Sequence, residues 1–210
     1  MGHTTHYVHL IRRNETLQKA FLPSKRSPTG NYHNQTYERV RGYILLVHAE
    51  IEYYFEEITE RIMKDTQAKW EFNHEATKTA VALMAYCTKD FHNTATSTND
   101  QNKTEDLDYR FKKACSIHYE YVRAKNHGIK ESNVLALLLP IGVFIDDLDN
   151  DLLIALNSFG TDRGLIAHST GRARQQISPE DAETKVADLL RLLDTFDEKM
   201  LIEYHLEPAT

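Results

Sequence analysis

Apolar residues recur along this chain at intervals of three and four, the period of an amphipathic helix, and not at the period of two that marks strands. The clearest stripe runs through Ile44, Val47, Ile51, Tyr54, Ile58 and Ile62, within a long helix expected over 34–65. Glu50, Glu52, Glu56, Glu57 and Glu60 interleave with it and read as a solvated acidic side. A second helix is expected over 75–91, with Val81, Met84, Ala85 and Thr88 near one face, and a third over 106–126. The polar stretch 93–104 between them reads as an exposed loop, and Gly128 suits a left-handed cap after the third helix. A short helix over 132–139 stops at Pro140. The next starts near Asp149 with the stripe Leu152, Leu156, Phe159, Arg163 and Ile166, in which Arg163 falls on the apolar register and Gly160 is a possible bend. Ser178-Pro179-Glu180-Asp181 combines an N-cap, a proline in the first turn and acidic residues beside the helix dipole. It opens a last helix, to about Tyr204, on Val186, Leu189, Leu190, Leu193, Phe196 and Met200.

The first 33 residues read as an N-terminal extension, with a short helix on Leu10, Ile11, Leu17, Phe21 and Leu22 and a loop through 23–30. The main domain is placed at 34–210. With no internal repeat, the expected fold is all-α, an up-and-down bundle of five or six helices.

Composition narrows the function classes. Acidic residues outnumber basic ones 31 to 25, which argues against a protein that binds DNA through a uniformly basic surface. The two cysteines, Cys87 and Cys115, make neither a disulfide framework nor a zinc pattern and are expected in the core. The N-terminal residues lack the apolar segment of a signal peptide and no run suits a membrane span, so a cytoplasmic chain with no membrane contact is expected. Zinc-protease, phosphate-loop and serine-hydrolase motifs are missing from the sequence. His3, His6 and His9 are evenly spaced, but without a carboxylate or thiol to complete a site they read as a surface terminus, and no metal or cofactor is expected.

The chemistry-bearing stretch is Asp162-Arg163-Gly164-Leu165-Ile166-Ala167-His168-Ser169. Imidazole exchanges protons near neutral pH, and guanidinium presents a fixed, always charged fork to phosphate oxygens. The two suit attack on a phosphodiester. On a regular helix, residues five apart point about 140° from each other. One motif alone therefore converges poorly, and two copies related by a twofold axis resolve this. Asp162, Ser169, Arg172 and Arg174 are candidates for gripping the substrate beside the pair. His48 and Glu52 share a face of the first long helix and read as a surface pair or a buried structural histidine.

Arg163 and His168, with four residues between them and a last amphipathic helix after them, resemble the motif of the HEPN superfamily, and most closely its RiboL-PSP-HEPN-like branch. The stretches Arg41 to Glu50 and His127-Gly128-Ile129-Lys130 are also similar to that family, and the resemblance spans roughly 34–204. It implies a helical bundle that dimerises so that two Arg-His motifs face one cleft. It also implies a metal-independent endoribonuclease of a toxin–antitoxin or phage-defence system, with RNA as substrate and an antitoxin or defence protein as partner. The alternative it carries is an inactive module that binds RNA, a nucleotide or a protein. Family members often carry a polar residue, typically Asn, Asp or His, directly after the arginine, where this chain has Gly164.

Overall fold

The computed structural model describes residues 2–87, 107–168 and 176–209, with backbone alone at His168. Within them lie seven α-helices and no strand: α1 (Thr5–Phe21), α2 (Asn34–Asn73), α3 (Lys78–Cys87), α4 (Leu107–Ala124), α5 (Glu131–Leu138), α6 (Asn150–His168) and α7 (Pro179–Glu203). Short 3-10 turns occupy Leu139–Ile141 and Ile145–Asp147. The all-α class follows the helical period of the sequence, and the helix count exceeds the five or six expected. The expected loop at 93–104 lies outside the described residues.

The chain forms two compact units. One comprises Met1–Tyr54, Gly128–Ser132 and Leu148–Thr210, and the other Phe55–His127 and Asn133–Asp147. Helix α2 contributes its first part to one unit and the remainder to the other.

In the first unit, Val40, Tyr43, Ile44, Val47, Ile51 and Tyr54 of α2 are buried, as are Leu152, Leu156 and Phe159 of α6 and the whole predicted stripe of α7. Ser178 caps α7 as its sequence indicates, accepting a hydrogen bond from the Asp181 amide at 3.0 Å. Helix α1 buries Tyr7, Leu10 and Leu17. Its cap, Thr4, does two jobs with one hydroxyl. The oxygen accepts from the Tyr7 amide at 3.1 Å, and the proton goes to Asp197 of α7 at 2.5 Å. Asp197, with no solvent exposure, also accepts from the Thr4 amide at 2.8 Å and the Tyr54 hydroxyl at 2.9 Å. Burial and the nearby Asp197 charge hold the Tyr54 phenol well above its ordinary pKa, so it remains a donor.

In the second unit, Trp70 stacks on Phe111 at 4.5 Å and its indole N–H donates to Asp108 at 3.1 Å. This buried indole accounts for α2 continuing to Asn73, past the expected end at residue 65. Helix α3 starts at Lys78, later than expected, and is turned: Thr79, Ala80, Ala82 and Leu83 are buried, whereas Val81 is exposed; the last four residues of the expected helix lie outside the described residues. The buried face is thus Thr79, Ala80, Ala82 and Leu83 instead of the one through Val81 and Ala85. His118 is buried and donates through Nε2 to the Leu137 carbonyl at 3.0 Å.

Three of the five glutamates expected on a solvated side of α2 are engaged instead. Glu50 pairs with Arg13 at 2.9 Å. Glu52 accepts from the Gly128 amide at 2.7 Å. Glu60, only 6% exposed, takes both arms of the Arg123 fork at 2.6 and 2.8 Å, and those hydrogen bonds lower its pKa. Sequence period locates such residues beside the apolar stripe, but not the cations that other elements bring to them. Both cysteines are unpaired: Cys115 is buried and Cys87 half-buried, and burial raises the thiols to about 12 and about 11.

Helix α6 continues through Gly160. The glycine serves a close approach: a Cβ there would stand 2.8 Å from Cγ and 3.6 Å from the backbone nitrogen of Lys130. A Cβ at Gly164, by contrast, would meet nothing within 4 Å. Gly160→Ala should therefore cost about 1–3 kcal/mol through overpacking. Gly164→Ala should add about 0.5–1 kcal/mol by relieving the helix of a flexible residue. Urea unfolding of the two variants should move the midpoint in opposite directions.

Candidate functional site

The predicted pair sits in the last turns of α6. Arg163 is exposed even though it shares the register of buried Leu156, Phe159 and Ile166. The expected apolar register is therefore correct as geometry, while the guanidinium reaches solvent near the helix end. Among the described residues, no carboxylate pairs with it. His168 is the last residue of α6, and its side chain lies outside the described part. The helix is regular between them, so the two positions remain about 140° apart around its axis.

Two contacts fix this end of α6. Arg41 of α2, its side chain 11% exposed, donates from a guanidinium nitrogen to the Ile166 carbonyl at 2.8 Å, and lies 3.7 Å from Glu38. The last described turn of the helix carries the negative end of its dipole, so a half-buried cation there is favourable. Asp162 is tied to Lys185 of α7 by an ion pair. Asp162 is thus joined to a neighbouring helix rather than to the adjacent arginine. Ser169, Arg172 and Arg174 lie outside the described residues.

His48 belongs to the same neighbourhood. It is 3% exposed, stacks on Phe159, and its Nδ1 is 3.7 Å from Glu52. Of the two readings open to it, the structure selects the buried histidine. Burial, followed by the positive charge of Arg163, lowers its pKa to about 4. It is a neutral packed ring at pH 7, and its depth keeps it from exchanging protons with a bound substrate.

In the sequence, Arg41 stands only within a stretch similar to the family. Its contact with α6 spans 125 residues of chain. Nothing in local sequence marks it apart from the other arginines, and only its acceptor on α6 distinguishes it.

A model of the RiboL-PSP-HEPN family matches residues 9–201. The chain belongs to the RiboL-PSP-HEPN family. No curated protein and no solved structure matches it. Membership of this HEPN family is consistent with a ribonuclease or a nucleotide-binding module. Among the described residues, no helix is long and apolar enough to cross a membrane. Within the HEPN domain, the Arg41 contact and the Asp162–Lys185 pair together mount the turn that carries Arg163 and ends at His168.

The buried histidines dictate an acid sensitivity. His48 and His118 both have folded pKa values lowered to about 4, whereas an unfolded histidine titrates near about 6.5. Between these values the unfolded chain binds more protons, so stability rises with pH and is lost as pH falls from about 6.5 towards 4. Each ring should contribute a loss of about 3 kcal/mol at the acid end. Denaturant midpoints measured across this window should fall steadily, and His118→Gln, which keeps a donor for Leu137, should flatten the slope.

Proposed function

We propose that this HEPN protein is a metal-independent endoribonuclease that cleaves RNA by attack of the 2′-hydroxyl on the adjacent phosphodiester. The observation that carries the reading is the placement of Arg163 and His168 at the braced end of α6, with Arg163 exposed and unpaired among the described residues. His168 takes the 2′-hydroxyl proton as the 2′-oxygen bonds to phosphorus. The bond to the 5′-oxygen breaks and that oxygen is protonated by an imidazolium, which leaves a 2′,3′-cyclic phosphate and a 5′-hydroxyl. Arg163 offsets the charge that builds on the phosphoryl oxygens. Asp162, Ser169, Arg172 and Arg174 are assigned to gripping the RNA beside the pair.

The reading includes a homodimer. Positions 163 and 168 diverge on one helix, and a twofold axis supplies the missing half from a second copy. Ile154 and Leu165, three turns apart on one side of α6, are 58% and 55% exposed and offer apolar surface for such a contact. A cytoplasmic toxin–antitoxin or phage-defence setting, with an antitoxin or defence protein as partner, completes the proposal.

Gly164 favours a second reading. The space around it would admit the polar side chain found after the arginine in relatives, and this chain has none there. That suits a module that binds RNA, a nucleotide or a protein without cleaving.

Labelled RNA incubated with the purified protein in EDTA should be cut to products ending in cyclic phosphate, while DNA stays intact. His168→Ala should lose cleavage, by at least about 10²-fold if it acts as general acid or base. Arg163→Ala should lower turnover comparably. Residual cleavage equal to wild type in His168→Ala would sink the mechanism, and absence of cleavage by a folded dimer would transfer support to the binding module. Arg41→Met should reduce turnover more than it raises KM, since it moves the turn without touching substrate; an unchanged turnover would remove Arg41 from the site.

A further inference from the structure

The three evenly spaced histidines near the start of the chain part company in the fold. His6 and His9 lie on α1, and His9 packs edge-on against Tyr53. His3 precedes α1 and meets α7 instead. Its Nε2 is 3.4 Å from a carboxylate oxygen of Asp194. Asp194 and Glu198 are four residues apart, on one face of α7. One ligating atom from each of His3, Asp194 and Glu198 lies within 4.8 Å of the others, and all three residues are half-buried. The carboxylates that the sequence did not associate with His3 are therefore supplied by a helix about 190 residues away.

A second observation concerns the other ring nitrogen. His3 Nδ1 is buried and has no hydrogen-bond partner, and it stands 3.6 Å from Oδ2 of Asp197. Asp197 is immobilised by the Thr4 amide, the Thr4 hydroxyl and the Tyr54 hydroxyl. The backbone of His3 is held as well, since its carbonyl accepts from the Ala209 amide at 2.7 Å and Thr4 bridges to Pro208. A fixed carboxylate behind Nδ1 favours the tautomer protonated there. The Nε2 lone pair then faces the Asp194 and Glu198 carboxylates. A small rotation of the ring that closes the 3.6 Å gap would direct one ring nitrogen to a ligand and the opposite N–H to a held carboxylate, the arrangement that orients metal-binding histidines.

We propose that His3, Asp194 and Glu198 bind one divalent transition-metal ion, with Zn²⁺ the best fit, and that Asp197 orients the His3 ring. One imidazole and two carboxylates leave a position for water, a donor set suited to zinc; calcium and magnesium prefer oxygen alone. Metal bonds of about 2.0–2.1 Å in a tetrahedron place ligand atoms about 3.3 Å apart, close to the His3–Asp194 separation of 3.4 Å. Binding requires the Asp194 and Glu198 side chains to rotate until the remaining distance closes. The ion would join the segment before α1 to α7. It takes no part in the proposed RNA cleavage: Asp194 lies nine residues beyond Lys185, about 14 Å along α7 from the pair that holds Asp162.

The test is calorimetric titration of the metal-stripped full chain with ZnCl₂, paired with visible absorption of the Co²⁺ form. Wild type should bind one equivalent and gain thermal stability. His3→Ala and Asp194→Asn should each weaken binding by about 100-fold, at least the loss that outer-shell changes produce, and lose the cobalt spectrum. His9→Ala should bind as wild type does. A variant that melts like wild type in EDTA shows that lost binding is not lost folding, and Glu198→Gln provides the same readout if His3→Ala fails to fold. No uptake at micromolar zinc, or uptake unchanged by these three substitutions, would overturn the site. RNA cleavage in EDTA is measured separately, so the two proposals fail independently.

Discussion

A carboxylate fully withdrawn from water is costly unless its oxygens are occupied by donors, and Asp197 is such a group. Its donors come from the Thr4 amide and hydroxyl and from the Tyr54 phenol, so the residue before α1, the middle of α2 and the later part of α7 must arrive together. The same hydroxyl of Thr4 caps α1, which makes the start of that helix part of one network. The apolar stripes around it add most of the stabilisation, but they tolerate sliding by a turn. A buried acceptor with three specific donors does not, and it fixes the register in which those stripes pack.

The chemistry proposed for the chain depends on a similar arrangement at the other end of α7. A helix C-terminus is an awkward mount for a catalytic side chain, because its last carbonyls lack partners and its final turn frays. Arg41 supplies a donor to Ile166, and Lys185 holds Asp162, so the turn carrying Arg163 is tied to two neighbouring helices. His48 beneath it is kept neutral by burial and by the Arg163 charge, which avoids placing a second cation beside the guanidinium. The divergence of positions 163 and 168 around α6 is what makes a second copy chemically useful.

Much of the fold was legible because its period was strong. The stripe of α2 and that of α7 are buried as their spacing requires, and Ser178-Pro179 begins α7 where its capping chemistry indicates. Reading failed where the pattern was ambiguous. In α3, Thr79, Ala80, Ala82 and Leu83 pack while Val81 faces out, a face that the hydrophobic pattern alone did not select. The α2 glutamates were indistinguishable from a solvated face until Arg13, Arg123 and the Gly128 amide were brought to them.

The sequence by itself determined the helical class, the principal stripes, the Arg163–His168 spacing and the kinship it signals. These are local properties, set by backbone period, capping and a short motif. The tertiary structure alone decided that Arg41 meets Ile166, that Asp162 turns to Lys185 and that His3 lies beside Asp194 and Asp197. Each of those contacts joins residues between 23 and 194 positions apart. Periodicity carries no information about which distant side chains converge, because that depends on how the helices pack against one another.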